Sequence, residues 1–117
     1  MDDVELHEVE LYGGVANAGA VTRRGEHVLR PSNAHTASVH RFLRAIADAG
    51  FDGASVPDGV EPDGRERLTF IDGDVPIVPY PDWAQTDAAL ASVGALMRRY
   101  HDAAQAHEPS ADDTWSD

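Results

Sequence analysis

The chain of 117 residues carries 9 basic and 21 acidic side chains, for a net charge of −12, and every basic residue is an arginine. A chain of this length forms at most one domain, and without cysteine or lysine it cannot build a disulfide scaffold, a cysteine zinc site, a thiol nucleophile or a lysine-dependent phosphate loop. The acidity also argues against a nucleic-acid partner, because binding phosphates requires clustered positive charge.

The sequence shows no targeting signal. No window approaches eighteen consecutive apolar residues, so no segment is predicted to cross a membrane. The segment 1–5 is acidic and has neither the positive region nor the apolar stretch of a signal peptide. We therefore expect a cytoplasmic protein with no membrane partner.

The first thirty residues predict three short strands. Apolar residues alternate with polar ones from Val4 to Leu11, with a one-residue slip that indicates a bulge. The pair at 24–25 fits a two-residue turn before the third strand, at 27–30. Pro31 ends that strand because proline has no amide hydrogen to donate to a ladder.

A helix is predicted to begin at Thr36, as its N-cap, and to end at Gly50, since glycine readily adopts the left-handed conformation that terminates helices. Its apolar stripe consists of Val39, Leu43, Ile46 and Ala47. Its outer, solvent-facing side consists of His40, Arg41 and Arg44.

A hairpin, a linker and a second helix follow. Strands are predicted near 54–60 and 68–71, with a turn at 62–64. Prolines keep 72–86 extended, and a helix begins at Thr86. The buried face of this helix is predicted to consist of Leu90, Val93, Met97, Tyr100 and Ala104.

This order predicts an α+β domain. It contains an antiparallel five-stranded sheet with one packed helix, followed by a linker and a second helix. We assign 1–75 to the sheet and first helix, and 76–107 to the linker and second helix. The acidic segment 108–117 has no periodicity and is expected to fray.

The sequence gives little support for a metal site or for a hydrolytic active site. His35 and His40 are five residues apart, and His101 and His107 six, whereas two ligands on one helix face need a spacing of three or four. The segment 72–74, Asp-Gly-Asp, could hold magnesium against a phosphate, but a turn explains it better. No serine lies in a Gly-x-Ser-x-Gly elbow. We therefore predict no metal ligand and no catalytic residue.

The diglycine Gly13-Gly14 lies between two predicted strands. Glycines there let backbone amides approach a phosphate closely, and Arg30, at the end of the third strand, could reach under that loop. A bulge or tight bend is the more ordinary explanation of the glycines. A surface position at a sheet edge is the ordinary explanation of Arg30.

Taken in order, several segments resemble the N-terminal lobe of an aminoglycoside-phosphotransferase-type small-molecule kinase, which shares the protein-kinase fold. The resemblance extends over residues 9–107. It rests on the segments LYGG (11–14), HVLRP (27–31), SVHRFLR (38–44), AGFDGA (49–54), DGRERLTFIDGDV (63–75) and LMRRYHDA (96–103).

The resemblance implies a binding site for ATP with magnesium. Gly13 and Gly14 would belong to the loop over the phosphates, and Arg30 would stand where the family usually has a lysine. The hinge that hydrogen-bonds adenine would consist of Phe70, Ile71, Asp72 and Gly73. The family's helix also supplies a glutamate partner to the lysine. Here the nearby positions are Val39 and His40, so this ion pair is expected to be missing.

The sequence departs from the family at its end. The segment 101–103 lacks the catalytic aspartate of the family's His-x-Asp-x-x-x-x-Asn segment. We therefore expect weak ATP binding at most, and no phosphate transfer by this chain alone. One alternative is a stand-alone self-associating or partner-binding module built on the same lobe. Another is a small acidic α+β protein that matches the family by chance.

An apolar surface is expected where the catalytic lobe is absent. It includes Trp83, Leu90, Met97 and Tyr100. Exposed apolar patches of this kind mark interfaces between proteins. The expected partner is a second copy of the chain or a separately encoded catalytic lobe.

Overall fold

The computed structural model describes residues 7–11 and 20–115. It confirms the predicted α+β class, with a five-stranded antiparallel sheet and two α-helices. The elements are β1 (Glu8–Glu10), β2 (Thr22–Arg24), β3 (His27–Arg30), α1 (Thr36–Asp48), β4 (Pro57–Val60), β5 (Glu66–Thr69), a 3-10 helix (Asp82–Gln85) and α2 (Asp87–Ala104). The strand predicted to start at Val4 begins outside the described residues. The diglycine Gly13-Gly14 also lies outside them.

The sheet has the strand order β1-β2-β3-β5-β4, and every described pair is antiparallel. Gly25, at φ 63°, lies in the turn between β2 and β3, and Gly64, at φ 93°, lies in the turn between β4 and β5. Both positions require the left-handed region, which glycine adopts without a steric penalty. The second turn confirms the prediction, whereas the first lies one residue later than predicted, at 25–26.

The helix α1 begins one residue earlier than predicted and ends as predicted. Its N-cap is His35, without a side-chain hydrogen bond, whereas the Thr36 hydroxyl accepts from the amide of Asn33 at 2.9 Å. At its end, the amide of Gly50 donates to Ala47 and that of Phe51 donates to Ile46. This pair of bonds is the Schellman motif that a left-handed glycine permits.

The main apolar core lies between the two helices. Ile46 of α1, Phe51 and Ala103 of α2 are buried together, with Leu96 and Tyr100 packed against them. The Phe51 and Tyr100 rings meet edge to face, with centroids 5.7 Å apart, an arrangement that aromatic pairs favour. The loop after α1 is therefore part of the core, because Phe51 lies just beyond the helix end.

Two of the predicted faces are partly wrong. Leu90, Val93 and Met97 of the predicted buried face of α2 have side chains that are 73%, 56% and 48% exposed. The other two residues of that face, Tyr100 and Ala104, do pack against the core, together with Leu96 and Ala103. His40 was assigned to the solvent face of α1, but it is buried. Periodicity identifies apolar stripes, but it does not tell which stripe meets a neighbour.

The C-terminal segment, which we expected to fray, lies against α1 in its described part. Arg41 donates to the carboxylate of Asp113, and the amide of Thr114 donates to the Ser38 hydroxyl at 2.9 Å. The Trp115 ring packs edge to face on Phe42, with centroids 6.3 Å apart. These contacts extend the packing of α1 beyond the core.

Replacing Ile46 with alanine is expected to destabilise the fold strongly, because this side chain is 1% exposed and central to the core. The loss in the free energy of unfolding should be about 2–5 kcal/mol, measured by urea denaturation followed by circular dichroism. Leu90→Ala is the matched control, and it should change the midpoint little because Leu90 is exposed. Equal effects of the two substitutions would contradict this assignment of the core.

Candidate functional site

A buried carboxylate, that of Glu66, connects the sheet to α1. The alternation of β5 places Glu66 and Leu68 on the same side of the strand, and both are buried, at 5% and 3% exposure. Arg30 of β3 is the residue directly opposite Glu66 in the antiparallel register. His40 reaches the same carboxylate from α1.

Both oxygens of Glu66 are engaged. Arg30 Nε lies 2.5 Å from Oε2, and His40 Nε2 lies 2.7 Å from Oε1. A buried charge is tolerated only when it is paired and hydrogen-bonded, and these two contacts supply both conditions. We refer to Arg30, His40 and Glu66 as the Glu66 cluster.

A cavity of about 360 Å³ borders the Glu66 cluster at the start of α1. Arg30 and Glu66 line it together with Ser32, His35 and Thr36. A guanidinium has five N–H donors, so Arg30 keeps its terminal nitrogens for an anionic or carbonyl ligand after Nε has bonded to Glu66. The Nδ1 atom of His35 is buried and has no hydrogen-bond partner among the described residues.

The residues predicted to contact a nucleotide are distributed over different places. Gly13 and Gly14 lie outside the described residues. Arg30 borders the cavity beside α1, whereas Phe70, Ile71 and Gly73 line a second cavity of about 380 Å³. That second cavity is mostly apolar, since Leu11, Val28 and Val75 complete most of its wall.

Phe70 is held by two neighbours from the β2–β3 hairpin. Its amide donates to the Glu26 carbonyl at 2.8 Å, and the Arg23 guanidinium lies 3.8 Å from the centre of its ring. The backbone amide of Phe70 is therefore already bonded within the chain. Asp72 and Gly73 follow in exposed backbone. Nothing here tests the prediction of ATP with magnesium, which stays a prediction.

Arg30 has a carboxylate partner, but this partner comes from the sheet and not from α1, the element in which the resemblance placed it. Arg30 pairs with Glu66 of β5, and the α1 residue in the cluster is His40. The sequence contained a signal for this arrangement. Glu66 alternates with Leu68 along a strand, so a buried Leu68 implies a buried acid that needs a basic partner.

A second charged cluster, centred on Glu61, joins the β2–β3 and β4–β5 hairpins. Arg24 Nη2 donates to Glu61 Oε1 at 2.5 Å, and Arg67 Nη1 donates to Oε2 at 2.6 Å. Arg65 pairs with Glu8 of β1 in the same way, at 2.5 Å. The sequence analysis missed these pairs, because their partners are up to 57 residues apart in the chain.

The arginines lower the pKa values of their carboxylate partners. The hydrogen bond from Arg24, followed by the one from Arg67, holds the pKa of Glu61 below its ordinary value of 4.5, although burial opposes this shift. The hydrogen bond from Arg65 likewise lowers the pKa of Glu8. These carboxylates are therefore charged at neutral pH and stabilise the hairpins as anions.

The part of the chain described here shows neither a metal centre nor a membrane span. No group of three or more histidine or acidic side chains is placed to hold a metal ion within residues 7–11 and 20–115. No helix in the same ranges is both long and apolar enough to cross a membrane. The described residues form an acidic α+β protein in which the buried Glu66 cluster borders a polar cavity.

Comparison with known proteins gives one informative similarity. The chain is 35% identical over 112 residues to the trifolitoxin immunity protein of Rhizobium leguminosarum bv. trifolii. The match covers 94% of this chain but 41% of the relative, so the chain spans less than half of the relative's length. No protein-family model matches the chain, and no solved structure matches it.

These comparisons correct the functional interpretation of the sequence. The relative is named for immunity, and neither a family model nor a solved structure of a phosphotransferase matches. The resemblance to a kinase N-terminal lobe is therefore wrong, as is the transferase role, and the ATP site that it implied loses its basis. The alternative of a stand-alone module built on that lobe is wrong for the same reason.

The segments that carried the resemblance have local structural explanations. Gly50 ends α1 and Gly64 forms a hairpin turn, both at positive φ. Pro31 follows the last residue of β3, where a ladder donor is no longer needed. Short strings of turn and end residues recur wherever short strands and helices alternate, so their order alone does not identify a family.

Glu66→Gln is expected to destabilise the protein by about 1–3 kcal/mol, because the amide cannot accept from both Arg30 and His40 and leaves a buried donor unpaired. Urea denaturation at pH 7 measures the loss. The matched control is Glu26→Gln, whose side chain is 88% exposed and which should leave the midpoint unchanged. An unchanged midpoint for Glu66→Gln would show that the cluster does not support the fold.

Stability is expected to fall as the pH is lowered from about 5 towards 3. A carboxyl whose pKa is lower in the folded protein contributes stability above its unfolded pKa and loses it as the pH falls through the folded pKa. Glu61 has such a lowered pKa, so Glu61→Gln should flatten the dependence of the unfolding free energy on pH in this range. Denaturation series at stepped pH measure the slope, and Glu26→Gln should retain it.

Proposed function

We propose that this chain contributes to immunity against a toxin, as the name of its relative records. The observation that carries the proposal is the 35% identity over 112 residues, which extends along nearly the whole chain. Because the match spans 41% of the relative, the proposal concerns the contribution of the matched part.

We place the contacts that matter for protection at the Glu66 cluster and its cavity. Among the described residues, this cluster combines a buried carboxylate, a half-exposed arginine and a bordering cavity. Glu66, which His40 holds through its other oxygen, positions Arg30, so the terminal nitrogens of Arg30 form a positioned donor group rather than a mobile surface charge. Positioned donors of this kind give polar contacts their specificity.

A second feature supports a protein or peptide contact rather than a nucleic-acid contact. The net charge is −12, and an acidic surface attracts cationic molecules and repels polyanions. The toxin or the cellular component that it acts on is therefore expected to present basic groups to this chain.

The proposal is tested by survival. A chimera in which this chain replaces the matched 112 residues of the trifolitoxin immunity protein should allow a trifolitoxin-sensitive Rhizobium strain to form colonies on trifolitoxin. The chain alone is tested in parallel. Arg30→Ala in the chimera should reduce survival towards that of the empty vector, because it removes the positioned guanidinium.

Arg98→Ala is the control, since Arg98 is exposed on α2 and does not line the cavity. Immunoblotting and thermal unfolding establish that the variants accumulate and fold. A chimera that accumulates in folded form and protects no better than the empty vector would contradict the proposed function. Protection that is equally lost with Arg98→Ala would contradict the placement at the Glu66 cluster.

A further inference from the structure

The segment before α2 and one stripe of α2 itself carry a concentration of exposed apolar side chains. We call this surface the α2 face, and it consists of Tyr80, Trp83, Leu90, Val93 and Met97, each 48–73% exposed. Thr86 links the 3-10 helix to α2, since its hydroxyl donates to the Trp83 carbonyl and accepts from the Ala89 amide. The face is therefore held on ordered backbone.

The α2 face is distinct from the stripe by which α2 meets the core. Leu96, Tyr100 and Ala103 make the contacts with Ile46 and Phe51. Leu90, Val93 and Met97 follow one another at helical spacing along a neighbouring stripe. Within the described residues, α2 thus has two apolar stripes, of which one is covered by the core and the other is exposed.

The charge around the α2 face disfavours a second copy as the occupant. Residues 68–97 contain four aspartates and no basic residue, Arg98 and Arg99 follow directly after them, and each chain carries a net charge of −12. Like charges brought together across an interface are unfavourable, whereas a basic rim would complement them. The aspartates are Asp72, Asp74, Asp82 and Asp87.

We propose that the α2 face docks on a second polypeptide unit whose apolar surface is rimmed by arginine or lysine. More than half of the trifolitoxin immunity protein lies outside its match to this chain, so the relative contains a segment long enough to form such a unit. The inference depends on the likeness in sequence and not on protection against a toxin. Its test measures stability, so its failure is distinguishable from failure of the proposed function.

The experiment compares one substitution in two settings. Leu90→Asp is introduced into the chain alone and into the chimera with the unmatched part of the relative. In the chain alone, the melting temperature should stay within about 2 °C, because Leu90 is 73% exposed. In the chimera it should fall by about 5 °C or more, because an aspartate would enter a buried contact.

Ala95→Asp is the matched control on the same helix. Ala95 is exposed and lies two residues after Val93, on the other side of α2, so its substitution should have the same small effect in both settings. Hydrogen exchange should also show slower exchange of α2 amides in the chimera than in the chain alone. Sedimentation equilibrium should find the chain alone to be a monomer.

Three outcomes would overturn the inference. The first is a loss of stability from Leu90→Asp that is equal in the two settings. The second is a stable dimer of the chain that Leu90→Asp dissociates, which would make a second copy the occupant. The third is a chimera that does not fold while the unaltered relative does, because the α2 face would then not fit the relative's remaining part.

Discussion

The burial of one carboxylate organises much of this structure. Glu66 lies in β5 with both of its oxygens engaged, by Arg30 of the neighbouring strand and by His40 of α1. A buried carboxylate without partners would cost several kcal/mol. The register of β3 with β5 and the position of α1 over the sheet therefore both have to bring a hydrogen-bond partner to the Glu66 carboxylate. This single requirement links the two layers of the domain.

The rest of the stabilisation is divided between a small apolar core and arginine–carboxylate ion pairs. The core lies mainly between α1 and α2, around Ile46 and Phe51. The hairpins are joined instead by arginine–carboxylate pairs such as those of Glu61 with Arg24 and Arg67. With arginine as the one strongly basic residue type, a single carboxylate can accept from two guanidinium groups at short distance. The same acidic surplus places four aspartates in the stretch 68–97 that carries the α2 face.

The resemblance to a phosphotransferase was wrong because the segments that carried it have structural roles found in many folds. Its segments were strand ends, turns and helix ends, and the structure assigns such roles to Pro31, Gly50 and Gly64. These roles are common to many α+β folds, so they carry information about the fold and little about chemistry. The observation that changed the interpretation was similarity along 112 residues to a protein named for immunity.

The order of strand and helix patterns in the sequence correctly predicted the α+β class, with a five-stranded antiparallel sheet and two α-helices. Local signals sufficed for the element order, the glycine turn at Gly64 and the end of α1 at Gly50, because these depend on neighbouring residues. The pairing of Arg30 with Glu66 and the burial of His40 depend on residues 26–36 positions apart, and only the tertiary structure decided them. It also decided which apolar stripe of α2 meets the core, since periodicity is the same for a covered and an uncovered stripe. In this lysine-free chain, arginines form the ion pairs, and the tertiary structure brings them to carboxylates that are far away in the sequence.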